Sequence, residues 1–140
     1  MPAVLGSEYF TDENALGLGK LLRRASRDDV LYPGHEALPE VPLGTPDLDW
    51  MPEVARRELI VVTRDRRIRT RPAELRVYLE HGIRSVWLGA KQDLGPQDQL
   101  EPFLKHEPRL QREIIKRGPG PWALAMSPTS LRSLTLRRPP

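Results

Sequence analysis

Several aspartates stand at positions where carboxylates brought to one place would do chemistry together. Asp12 and Asp65 each directly follow a short apolar run, Asp93 follows a third at a distance of five residues, and Asp47 opens a helical pattern shared with Asp49. Strands alternating with helices bring such positions to one sheet edge, where the acids repel one another unless a cation lies between them. A hard divalent ion resolves that conflict: Mg²⁺ takes oxygen ligands and commonly combines one or two carboxylates with substrate phosphate oxygens. Such an ion polarises a phosphate, lowers the pKa of an attacking water and steadies the leaving oxygen. Each acid also has an ordinary structural use. Asp12 and Asp49 suit helix N-caps, and Asp65 suits a turn.

The elements that position these acids follow from periodicity. Glu8 to Thr11 reads as a strand ending at the polar trio Asp12-Glu13-Asn14, after which Leu18, Leu21, Leu22 and Ala25 recur at helical spacing. Val30 to Tyr32 suggests a brief strand, and residues 33–46 form a loop that is long for a compact domain. A helix begins near Asp47 or Asp49, with Pro52 tolerable if Asp49 is the cap. Leu59 to Thr63 reads as a strand buried on both faces. Pro72 opens a helix of about ten residues closed by Gly82, and Ile83 to Leu88 is another strand. Two helical segments follow, around Leu100–Leu104 and Leu110–Ile115, ended by Gly118-Pro119-Gly120-Pro121. Trp122 to Met126 is a last core strand, and Leu131, Leu134 and Leu136 form a weaker apolar pattern. The fold expected is α/β, with a mainly parallel sheet and helices on both faces.

The 140 residues make one domain. There is no cysteine, which excludes disulfides, thiolate zinc sites and a thiol nucleophile. No stretch approaches a membrane span and no export signal is visible, so a cytoplasmic protein without a membrane partner is expected. Residues 1–54 hold four Lys/Arg against ten Asp/Glu, and residues 55–140 hold eighteen against nine. Acid gathered early and base gathered late suit a protein that holds a cation and attracts a polyanion.

Phe10-Thr11-Asp12-Glu13-Asn14, Thr45-Pro46-Asp47 with Trp50, and Val61-Val62-Thr63-Arg64-Asp65 resemble, in this order, the motifs of PIN-like ribonucleases. The resemblance is nearest to the VapC-type toxins of type II toxin–antitoxin modules. It covers roughly residues 8–126 and implies a PIN-like nuclease domain over 1–126, followed by a basic segment, 127–140, packed on the domain or on a partner. It also implies an endoribonuclease dependent on Mg²⁺ or Mn²⁺ and silenced by a cognate antitoxin protein, with a homodimer admitted. Carried over by position, the metal acids are Asp12, Asp47 and Asp65. Asp49 competes with Asp47, which is favoured by its place after Thr45-Pro46. A fourth family acid is matched only by Asp93, five residues beyond Leu88, and Glu13 either binds metal through water or, the preferred reading, favours the positive start of a helix.

Arg64, Arg66, Arg67 and Arg69, with Arg71 beyond them, flank Asp65 where guanidinium groups would grip RNA phosphates. Trp50, Trp87 and Trp122 suit the core better than base stacking. Gly17-Leu18-Gly19-Lys20 lacks the first glycine and the Ser/Thr of a phosphate-binding loop, and His35, His81 and His106 have no ligand spacing. Two rival readings are a catalytically inactive PIN-like module that binds RNA or protein, and a receiver-like signalling domain. The latter would need a Lys after its last strand, where Ser127-Pro128 stands.

Overall fold

The computed structural model describes residues 8–25, 27–64, 70–89 and 95–136. Six strands form one sheet: β1 (Tyr9–Thr11), β2 (Val30–Leu31), β3 (Ile60–Thr63), β4 (Arg84–Leu88), β5 (Trp122–Met126) and β6 (Leu131–Leu134). Their order across the sheet is β2-β1-β3-β4-β5-β6. The first five are parallel, and β6 pairs antiparallel with β5, Met126 opposite Leu131. The fold is the α/β arrangement expected, and the last apolar pattern, around Leu131 and Leu134, supplies the sixth strand.

Four α-helices cover the two faces among the described residues: α1 (Leu16–Arg24), α2 (Asp47–Arg56), α3 (Pro72–Glu80) and α4 (Pro96–Arg117). Strand residues alternate between faces, so β3 sends Ile60 and Val62 one way and Val61 the other. Ile60 and Val62 join Leu18 and Leu22 of α1 and Phe103, Leu110 and Ile114 of α4 in one apolar layer. Val61 joins Trp50, Met51 and Val54 of α2 and Tyr78 of α3 in the other. All three tryptophans are buried, and Trp50 lies against Phe10 with ring centroids 4.9 Å apart.

Helix α2 starts at Asp47, one of the two expected starts, but its cap and the extent of α4 differ from expectation. The cap of α2 is Pro46, not Asp49: its carbonyl accepts from Asp49 N–H (2.9 Å) and Trp50 N–H (3.1 Å), and its extended ψ of 154° leads the chain into the helix. Pro52 therefore stands inside α2, beyond its first turn. The two late helical segments are one 22-residue helix that runs through Pro102 and Pro108. Gln99, Phe103, His106, Leu110 and Ile114 form an unbroken buried stripe along it, and that burial outweighs the hydrogen bonds the prolines remove.

The long loop 33–46 is fixed by its own core residues, since Leu38 and Val41 are fully buried. Its backbone closes on itself through Gly34 N–H to Val41 O (2.8 Å) and Val41 N–H to Leu38 O (3.1 Å). No helix among the described residues is long and apolar enough to cross a membrane.

Candidate functional site

From β1 the chain crosses to β2 on one side and, later, to β3 on the other, so strand order reverses between β1 and β3. In open α/β sheets ligands bind at such a reversal, outside the carboxyl ends of the strands. Asp12 is the first residue after β1 and Arg64 the first after β3, which puts both at that point.

Asp12 is 1% exposed. It caps the short 3-10 turn Glu13–Ala15: one carboxylate oxygen, Oδ1, accepts from Ala15 N–H at 3.2 Å. The other, Oδ2, accepts a short hydrogen bond from Thr63 Oγ1, the last residue of β3. The Asp12 amide itself donates to Val62 O at 3.3 Å and continues the β1–β3 ladder by one step. A buried carboxylate tolerates such a position because donors on both oxygens replace the lost water. Thr63, itself fully buried, thus holds the Asp12 carboxylate, a role the sequence did not mark: there it read as the last residue of a buried strand and part of the Val61–Asp65 motif.

A cavity of about 310 Å³ lies next to this point, lined by Glu13, Asp47, Trp50, Arg71 and Glu74, with Asn14 and the loop residues Gly44, Thr45 and Pro46 at its wall. Asp47 occupies the first turn of α2, half-buried, and its Oδ1 accepts from the Trp50 indole Nε1 at 2.9 Å. The Trp50 ring is locked in the core, so it fixes where the Asp47 carboxylate sits. Asp49 shares that first turn but is exposed and does not line the cavity, because two residues along a helix is more than half a turn. Glu13 Oε1 accepts a short hydrogen bond from Gly44 N–H, which pins the loop tip over the cavity.

Arg71 caps α3 and its Nη1 lies 3.9 Å from Oε1 of Glu74, whose side chain is largely buried. No motif pointed to Glu74; the acid in the first turn of a Pro-initiated helix was its only signal. Arg64, half-buried, faces a different and much smaller cavity between the ends of β4 and β5 and the start of α4, beside Gly89, Gln99 and Ser127. Asp65, Arg66, Arg67, Arg69 and Asp93 lie outside the described residues.

The donor set at the reversal point is oxygen only, the chemistry a hard divalent cation selects. No three of the described His, Asp and Glu side chains lie close enough together to hold a metal ion. Of the three acids expected to bind metal, Asp12 and Asp47 are the two that lie among the described residues. None of the three histidines lines the cavity, and His106 is engaged with Ser127 O at 2.9 Å.

Comparison with curated proteins returns no match, and comparison with solved structures returns none either. A family model described as a PIN-like domain matches residues 7–90, more than half of the chain and the whole stretch from β1 through β4. That stretch contains the reversal of strand order, Asp12, Asp47 and the cavity lined by Glu13, Asp47 and Glu74; the chain belongs to the PIN-like domain family.

Proposed function

We propose that the chain is an endoribonuclease that cleaves RNA phosphodiester bonds with a Mg²⁺ or Mn²⁺ ion, and that it is the toxin of a toxin–antitoxin pair. Domains of this family are commonly nucleases. The observation that carries the reading is Asp12, buried at the strand-order reversal next to a cavity lined by Glu13 and Asp47. A phosphodiester is an anion, and the carboxylates lining the cavity, Glu13, Asp47 and Glu74, repel it unless a cation beyond the single Arg71 stands between them. Asp12, Asp47 and Asp65 would hold that ion, which when bound polarises the phosphate and lowers the pKa of water.

The chain's own residues prepare the site. Ala15 N–H and Thr63 Oγ1 fix the Asp12 carboxylate, and the Trp50 indole fixes that of Asp47. Arg71 puts a guanidinium at the cavity wall, and Arg64 with Arg66, Arg67 and Arg69 would grip the phosphates to either side. Incubation of the purified protein with single-stranded RNA should give cleavage with Mg²⁺ or Mn²⁺ and none with chelator. Folded protein that cuts no RNA with either metal would end the nuclease reading. For the toxin reading, expression of the chain alone should arrest growth, and co-expression of the neighbouring reading frame, the cognate antitoxin, should restore it.

The second reading, an inactive PIN-like module that binds RNA or protein, draws on one observation: both oxygens of Asp12 are already engaged by protein donors. RNA binding without metal-dependent cleavage would favour it. The receiver-like reading falls with the family match.

A further inference from the structure

The carboxyl edge of the sheet is the start of α4, not its end. Gly17 at the start of α1 packs against Pro96 at the start of α4, and the helix runs from there along the flank of the molecule. Four cations stand on its outer face: Lys105, Arg109, Arg112 and Lys116, all exposed. Their spacing of four, three and four residues puts them in one row about 16 Å long, at 1.5 Å per residue.

The row keeps its charge. Among the described residues no carboxylate forms an ion pair with any of the four. The two acids of the same helical stretch are committed elsewhere: Glu107 binds Arg27 at 2.6 Å, and Glu113 binds Arg117 at 2.9 Å. The Arg117 hydrogen bond, helped by nearby Lys116 and Arg109, holds the Glu113 carboxyl below the usual carboxylate range. Lys105 Nζ donates only to a carbonyl, Pro128 O, at 3.3 Å.

Four like charges at neighbouring positions of one helix face repel one another and destabilise it slightly, and an anionic partner would offset that repulsion. An acidic protein surface would also want an apolar centre to the interface. Here the exposed apolar residues beside the row, Leu104 and Ile115, are three helical turns apart and form no continuous patch. A regular row of point charges without such a patch matches a phosphodiester backbone.

We infer that the outer face of α4 is a second RNA-binding surface, which holds the substrate strand away from the cleavage site through its phosphates. The choice of RNA as ligand rests on the nuclease reading, and binding and cleavage are therefore scored separately. The row begins nine residues beyond Pro96, about 14 Å along the helix axis, and lies past the acids Asp98 and Glu101. Its contribution consequently depends on RNA length. At a stacked rise of about 3.4 Å per nucleotide, an RNA of about 30 nucleotides spans about 100 Å and reaches the row, whereas one of about four spans about 14 Å.

The test compares wild-type protein with the variant Lys105→Gln, Arg109→Gln, Arg112→Gln, Lys116→Gln in chelator, where no metal-dependent cleavage interferes. All four positions are exposed, so the fold, checked by circular dichroism, should persist. Binding of the long single-stranded RNA should weaken by about tenfold or more at low salt, and the slope of log affinity against log salt should flatten by up to about 0.7 per lost phosphate contact. Metal-dependent cleavage of the short RNA should be equal in the two proteins. An unchanged salt slope for the long RNA overturns the inference. So does a row that binds poly-glutamate in preference to RNA, which would assign it to an acidic protein. Failure of the wild type to cleave the short RNA bears on the nuclease reading alone.

Discussion

Thr63 and Asp12 are joined across the β1–β3 boundary by a hydrogen bond from the Thr63 hydroxyl to the Asp12 carboxylate, although 51 residues separate them in the chain. The bond ties the ends of two parallel strands at the one place where the sheet's order reverses. Thr63→Val keeps the shape and removes the donor, leaving one oxygen of a buried carboxylate without it. The variant should lose about 1–3 kcal/mol of stability, read as a lower urea midpoint. Thr63→Ser should recover most of that loss. A Thr63→Val protein as stable as the wild type would mean that the bond contributes nothing to holding the site.

Asp47 and Asp49 share a helical turn but face different surroundings, and they should respond differently to the same change. Asp47→Asn removes a charge from the cavity wall and should abolish metal-dependent RNA cleavage while leaving RNA binding intact. Asp49→Asn, at an exposed position, should cleave like the wild type. Equal loss in both variants would show that the cavity does not discriminate between them.

Glycine inside a helix ordinarily costs about 0.5–1 kcal/mol relative to alanine, so Gly→Ala usually stabilises. Gly19 of α1 should show the opposite sign. A Cβ there would overlap Thr11 Oγ1 and crowd the Tyr32 ring at 3.2 Å, and Thr11 is fully buried with little room to yield. Gly19→Ala should melt at a lower temperature than the wild type; a higher melting temperature would mean that α1 sits farther from β1 than this packing requires.

His35 carries a pH dependence of defined sign. Burial, reinforced by the Arg23 guanidinium, lowers its pKa from the usual 6.5. The Ala37 N–H donates to its Nδ1 at 2.9 Å, a bond available only while that nitrogen is unprotonated. Between the folded and unfolded pKa values the unfolded chain binds more protons, so stability rises with pH in that window. The wild type should lose stability as pH falls through about 6.5, and His35→Gln should lose that part of the slope. Equal pH profiles for the two proteins over this range would remove His35 as its source.

The sequence was most readable where one physical cause dominates. Leu59 to Thr63 is continuously apolar because β3 is covered on both faces, and Asp12 stops a strand because a carboxylate at its end caps the next turn. Of its two expected uses, the cap is realised, with Asp12 accepting from Ala15 N–H. Less readable were features decided by tertiary packing. The apolar spacing around Leu100–Leu104 and Leu110–Ile115 read as two segments, but the buried stripe from Gln99 to Ile114 makes one helix of them through Pro102 and Pro108. Glu74 and the cation row of α4 left no motif, since each is defined by what lies opposite or beside it in space. The segment that follows Thr63 and Arg64, with Asp65, Arg66, Arg67 and Arg69, and the one that includes Asp93 lie outside the described residues.

The two outer strands of the sheet bear on whether it can be extended by another backbone. On one side β2 pairs through only two residues, and on the other β6 ends after four, with exposed Arg132 and Ser133 in its middle. Short or charged borders give a neighbouring backbone little to zip onto. Growth of the sheet from molecule to molecule is thereby held back at both margins, even though its interior strands are among the most apolar segments of the chain.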